Sequence, residues 1–246
     1  MTESGIRSLF LALIFSVLLL SVAFAAHAAS SGAQEPGDVA RPVVKITAPA
    51  AGSTEPWNSL VPYSVVVSFQ GKSTQYQEIP SSQVLLKTTY AADLSKIIED
   101  PPPTPDGLLE IVRSNCMGCH EFKARAMGPS FAAIAQRYPD SQASIETLSR
   151  YIRDGSTGVW GSTSMPPHAE FSDDQLRAMA LWIVKSAADP NVNYYVGTDG
   201  AFHMQAPALP APNAGLVLTA SYTSPAPAAQ SAQAAYGQAT MILHGK

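Results

Sequence analysis

"NCMGCHEFKARAMGPS", residues 115–130, holds both cysteines of a 246-residue chain, Cys116 and Cys119, with His120 directly behind them. A cluster of this kind serves a dithiol redox enzyme, a zinc-stapled module or a covalently attached haem. A zinc site draws on four ligands, as two cysteine pairs or one pair with two spaced histidines. Only one pair exists here, and His27, His168, His203 and His244 show no matching spacing. A redox dithiol follows a strand and opens a helix. The residues before Cys116 read instead as a helix, started by Thr104 as cap with Pro105 in its first turn. Leu108, Ile111 and Val112 share one face at helical spacing, and Cys116 follows four residues later on that face.

The arrangement that remains is C-x-x-C-H, the attachment signature of c-type haem. Two thiols spaced in this way add across the two vinyl groups of one macrocycle, and the adjacent histidine reaches its iron. One covalent haem c is therefore expected, bound through Cys116, Cys119 and His120, with His120 ligating the iron.

A second axial ligand would close the iron to substrate. Met117 lies inside the attachment loop, and Met127 is too near in sequence to cross to the other face. Met179 falls on the apolar side of a helix, while Met204 and Met241 fall in strand-like segments. Met165 lies in "GSTGVWGSTSMPPHAEF", residues 155–171, an irregular Gly/Ser/Pro loop where a side chain can be aimed freely. His168, three residues further on, is the competing donor, with a surface position as its plainer reading.

"CMGCH" (116–120), "MGPSF" (127–131) and "GVWGSTSMPPH" (158–168) together resemble the bacterial class I c-type cytochromes. The resemblance implies an all-α haem domain with Met165 as the sixth ligand. It implies that the Pro129 carbonyl accepts the Nδ1–H of the axial histidine, and that Trp160 packs at the haem edge near a propionate. His168 departs from the family pattern, which often carries asparagine there. The other helices follow from the pattern: Ser130 to Tyr138, Ser141 to Arg153, and a last one from Ser172 with Gln175 completing a capping box. Leu176, Met179, Ala180 and Ile183 form the apolar stripe of that last helix. The haem domain is expected over residues 101–189, about a third of the chain.

The flanks differ in kind. "VVKIT" (43–47), "VPYSVVVSF" (61–69) and "VLLKTTY" (84–90) are strand-like, and strands return in "NYYVG" (193–197), "AFHMQ" (201–205), "GLVLTASYT" (215–223) and "ATMILHG" (239–245). Each flank is too small to bury a core of its own. Together they have the dimensions of an immunoglobulin-like sandwich. They weakly resemble the Ig-like or PKD-like modules attached to extracellular bacterial cytochromes and sugar dehydrogenases. The expected fold class is multidomain α + β: an all-α cytochrome domain inserted in, or flanked by, an antiparallel Ig-like β-sandwich made of residues 39–98 and 191–246.

Arg7 precedes the apolar run "LFLALIFSVLLLSVAFAA" (9–26), and "AHAAS" offers a cleavage site after Ala28, the layout of a secretory signal peptide over residues 1–28. A periplasmic or secreted location follows, with membrane attachment only if that segment is retained. The formal charge of −4 gives no reason to expect nucleic acid. No carboxylate pair, nucleophilic triad or phosphate loop stands out, so the expectation is an electron-transfer protein and not an enzyme. It would accept one electron from a dehydrogenase-type donor and pass it to a cytochrome or oxidase acceptor. The alternatives are a haem subunit whose sandwich binds polysaccharide or docks a partner enzyme, through aromatics such as Trp57, Tyr63 and Tyr76, and a ligand-binding haem sensor.

Overall fold

The structure, a computed structural model, describes residues 40–97, 101–225 and 234–246. The apolar run and cleavage site of residues 1–28 lie outside the described residues. Four α-helices occupy the middle of the described chain, with strands on both sides in sequence.

The strands form two sheets. In the first, β3 (Leu60–Phe69) is central, pairing antiparallel with β1 (Val43–Ala48), with the two-residue β4 (Lys72–Ser73) and with β7 (Asp199–His203). In the second, β8 (Gly215–Thr223) lies between β9 (Tyr236–Gly245) and β5 (Val84–Ala91), and β5 pairs on its far side with β6 (Val192–Val196). Strands from before and after the helices are thus interleaved in both sheets. One pairing departs from the antiparallel expectation: the two-residue β2 (Thr54–Glu55) runs parallel to the end of β9.

Period-two alternation explains how the sheets are buried. Val61, Tyr63, Val65 and Val67 of β3 point into a core shared with Val84 and Leu86 of β5, Leu216, Leu218 and Tyr222 of β8, and Leu243 of β9. The second sheet is covered on its other face as well. Leu85, between Val84 and Leu86, belongs to the core of the helical region, and Tyr194 and Val196 of β6 pack there too, while Tyr195 packs into the inter-sheet core.

The helices are α1 (Asp106–Arg113), α2 (Phe131–Arg137), α3 (Gln142–Asp154) and α4 (Asp173–Ser186). Serine hydroxyls cap three of them: Ser130 accepts from the N–H of Ala133, Ser141 from Ser144 and Ser172 from Gln175. The capping box of Ser172 and Gln175 is complete. Thr104 does not cap α1. Pro105 holds that position without a side-chain bond, and the Thr104 hydroxyl pairs at 3.1 Å with that of Ser221 in β8. The neighbouring sheet supplies a closer partner for this hydroxyl than the helix end does. Gly107 lets α1 cross α4 closely, because a Cβ there would collide with the Ala178 carbonyl.

The helical region is tied to the second sheet by polar and aromatic contacts. Arg113 donates to the carbonyls of Thr223 and Ser224 at 2.7 and 2.8 Å. The Tyr194 ring lies 5.2 Å from that of Phe122 and 5.8 Å from that of Trp182. No helix among the described residues is long and apolar enough to cross a membrane.

Candidate functional site

At the end of α1 the Ser114 hydroxyl accepts from the N–H of Cys116 at 3.4 Å and turns the chain into one 3-10 turn, Asn115–Gly118. The Cys116 carbonyl then accepts from two successive amides, Cys119 at 3.1 Å and His120 at 2.9 Å. This turn places Cys116, Cys119 and His120 on one wall of a cleft. Neither cysteine is in a disulfide, and burial pushes the Cys116 thiol up from its ordinary pKa.

His120 is buried and held on several sides. Its Nδ1–H donates to the Pro129 carbonyl at 2.6 Å, which leaves Nε2 as the nitrogen with a free lone pair. The Phe131 ring stacks on the imidazole, centroids 5.3 Å apart and planes 29° apart. Gly128 lies against the imidazole: a Cβ there would stand 2.7 Å from Cε1. Only a residue without a side chain allows the backbone this close to the ring.

The loop after α3 supplies another part of the cleft lining. Gly155 takes a positive φ of 76°, and its neighbour Ser156 exchanges both backbone hydrogen bonds with Met165, at 3.1 and 2.8 Å. The half-buried Met165 side chain thereby lines the cleft that Cys116, Cys119 and His120 line from the other segment. Apolar side chains of all four helices, among them Ile111, Ile134, Leu148 and Ile183, complete the lining around about 1140 Å³ of space, open mouth included. Met127 stands at the rim beside Cys119, its sulfur 3.9 Å from Sγ, and is 63% exposed. Met179 is fully buried in α4.

Trp160 lines the same cleft, half-buried, with the Arg137 guanidinium 4.7 Å from its ring centroid. Arg137 also donates to the Val159 carbonyl at 2.6 Å. Sequence reasoning missed this arginine, because its approach to the tryptophan loop is a tertiary contact that local pattern does not record. His168 is the larger correction. It is not a surface residue but is 7% exposed, with Nδ1 at 3.0 Å from Glu170 and its amide donating to the carbonyls of Ile152 and Arg153. The α3 carbonyls left over at the helix end take up its N–H and draw the residue inward.

The donor set fits a covalent haem. Two thiols three positions apart and an imidazole with a fixed tautomer share an apolar cleft, and a thioether lines it from a separate segment. An indole and a guanidinium stand together at the Trp160 side, where carboxylates of a ligand would find partners. The aromatics Trp57, Tyr63 and Tyr76 do not assemble a second surface: Tyr63 is in the inter-sheet core, Trp57 packs on Tyr90 at 5.9 Å, and Tyr76 stands 77% exposed.

Residues 104–183 match the family described as cytochrome c oxidase, cbb3-type, subunit III. Cytochrome c-552 of Nitrosomonas europaea is 38% identical over 72 residues, 29% of this chain and 70% of that protein. Cytochrome c-552 of Hydrogenobacter thermophilus is 36% identical over 29% of this chain and 72% of its own length. Cytochrome c-551 of Pseudomonas aeruginosa is 33% identical over 28% and 65%. The crystal structure of wild-type Nitrosomonas europaea cytochrome c552 aligns with 31% of this chain and 94% of its own, at 36% identity and a TM-score of 0.30.

Proposed function

Because the chain belongs to the class I c-type cytochromes, with a covalently bound haem c and an electron-carrying role, we propose that it is a one-electron carrier with His120 and Met165 as its two axial ligands. The observation that carries this reading is the meeting, in one apolar cleft, of the Cys116–Cys119–His120 turn and the Met165 loop. When bound, the haem supplies an iron that alternates between Fe(III) and Fe(II) by one electron.

The chain's residues account for the rest. Cys116 and Cys119 would hold the macrocycle by two thioether bonds. The Pro129 carbonyl fixes the His120 tautomer and orientation and makes the imidazole a stronger donor. The Met165 thioether favours Fe(II) and raises the potential relative to a second imidazole. Burial among apolar side chains acts in the same direction by disfavouring the more charged ferric form. Trp160 and Arg137, stacked together, would hold the propionate edge. His120 and Met165, both bound, would leave the iron no position for a substrate, so the site would pass electrons without bond-making chemistry.

The partners are redox proteins, a dehydrogenase-type donor and a cytochrome or oxidase acceptor, met at the edge near Cys119 in small transient encounters. The location is periplasmic or secreted, supported by the apolar run and cleavage site of residues 1–28. Residues 39–98 and 191–246 are read as one Ig-like domain interrupted by the haem domain of residues 101–189; the pairing of β3 with β7, and of β5 with β6 and β8, supports this. A redox-titrated visible spectrum tests the ligation. The ferric protein is expected to show the weak far-red band of thioether-bound haem, and the ferrous protein to leave carbon monoxide unbound. Carbon monoxide binding without the far-red band would overturn the reading.

A further inference from the structure

We propose that His168 is a reserve axial ligand, which takes the coordination position of Met165 when the thioether is withdrawn. The proposal rests on the His120/Met165 reading and adds a second donor for the same position.

His168 lines the same cleft as Met165 and is 7% exposed. Its Nδ1 lies 3.0 Å from the Glu170 carboxylate. A carboxylate accepts and does not donate, so Nδ1 carries a proton, and in the neutral ring Nε2 is the nitrogen with the lone pair. Such a carboxylate–imidazole pair is the arrangement that orients a histidine for a metal and raises its basicity. The Phe171 ring, 6.1 Å away, stands beside the imidazole.

Both donors ride on one anchored loop. Met165 is bonded through its N–H and its C=O to Ser156, and the His168 amide to Ile152. Between them Pro166 and Pro167 restrict the backbone. Two other sulfurs line the cleft, Met127 beside Cys119 and the fully buried Met179, and the double variant below separates them from His168. Imidazole in place of thioether favours Fe(III), so the exchanged form has the lower potential.

The test uses the full-length, haem-loaded protein and its ferric visible and electron paramagnetic resonance spectra. Met165→Leu keeps the side-chain volume and removes the donor. It is expected to lose the far-red band yet stay low-spin, with a lowered potential. Met165→Leu/His168→Ala is expected to become high-spin. A high-spin Met165→Leu protein, or a double variant that stays low-spin, overturns the proposal. If Met165→Leu does not accumulate, Met165→Ala with and without His168→Ala gives the same two readouts. Failure of the underlying reading is separate: it shows in the unsubstituted protein, as absence of the far-red band before any residue is changed.

Discussion

Gly128 shows how narrowly the site is drawn. The backbone passes so near the His120 ring that one added methyl group would stand 2.7 Å from Cε1, while Pro129 next to it holds Nδ1. Gly128→Ala is expected to push the imidazole off its position, at a cost of about 1–3 kcal/mol for overpacking. A shifted midpoint potential and a lower urea midpoint in the haem-loaded protein would register both effects; an unchanged potential would refute the first. Cys116, Cys119 and His120 could be singled out from spacing alone, since C-x-x-C-H leaves few readings, and the structure sets all three on one cleft. Arg137 and the burial of His168 could not be read in this way. Each depends on a chain reversal, one bringing α2 against the Trp160 loop and one turning the His168 amide to the end of α3. Local pattern carries no record of such approaches.

Elements were legible wherever one periodicity dominates. The alternating run of β3 and the apolar stripe of α4 could be drawn directly from the residues, and so could the Ser172–Gln175 capping box. Thr104 misled because a threonine ahead of a proline resembles a cap, and only the presence of β8 alongside shows its other partner. The crossing of α1 over α4 gives a prediction at this scale. Gly107→Ala would ordinarily favour a helix by about 1 kcal/mol. Here the new methyl meets the backbone oxygen of Ala178, which cannot rotate away. The clash is expected to win, and chemical denaturation should show a net loss of about 1–3 kcal/mol. A stabilised variant would mean that the helices separate without penalty.

At the scale of the molecule, the second sheet is a partition with a core on each side. Tyr63 and Tyr194 sit in those two cores, and burial is the chief reason each hydroxyl is pushed up to about 12 from the ordinary 10.0. The sign follows from linkage. Below the ordinary tyrosine value both folded and unfolded states are protonated, and the stability is intact. As pH climbs from there towards 12, the unfolded chain ionises while the folded one cannot, so stability falls across that window. Urea midpoints measured through the alkaline range should decline, and Tyr194→Phe should decline less steeply; equal slopes would count against a role for Tyr194. The sheet order itself was beyond sequence patterns, since two flanks of similar strands admit many pairings. The pairing found has a kinetic consequence. β5 and β6 are hydrogen-bonded neighbours, with Thr89 opposite Val192, so the helical region is the loop of a single hairpin. Closing an unfolded loop on the order of a hundred residues carries an entropic penalty that grows with its length. An insert that has already folded, with its ends held near each other, escapes most of that penalty. Chains that have received their cofactor are expected to complete the β framework sooner than those that have not, as stopped-flow refolding of the two forms would show.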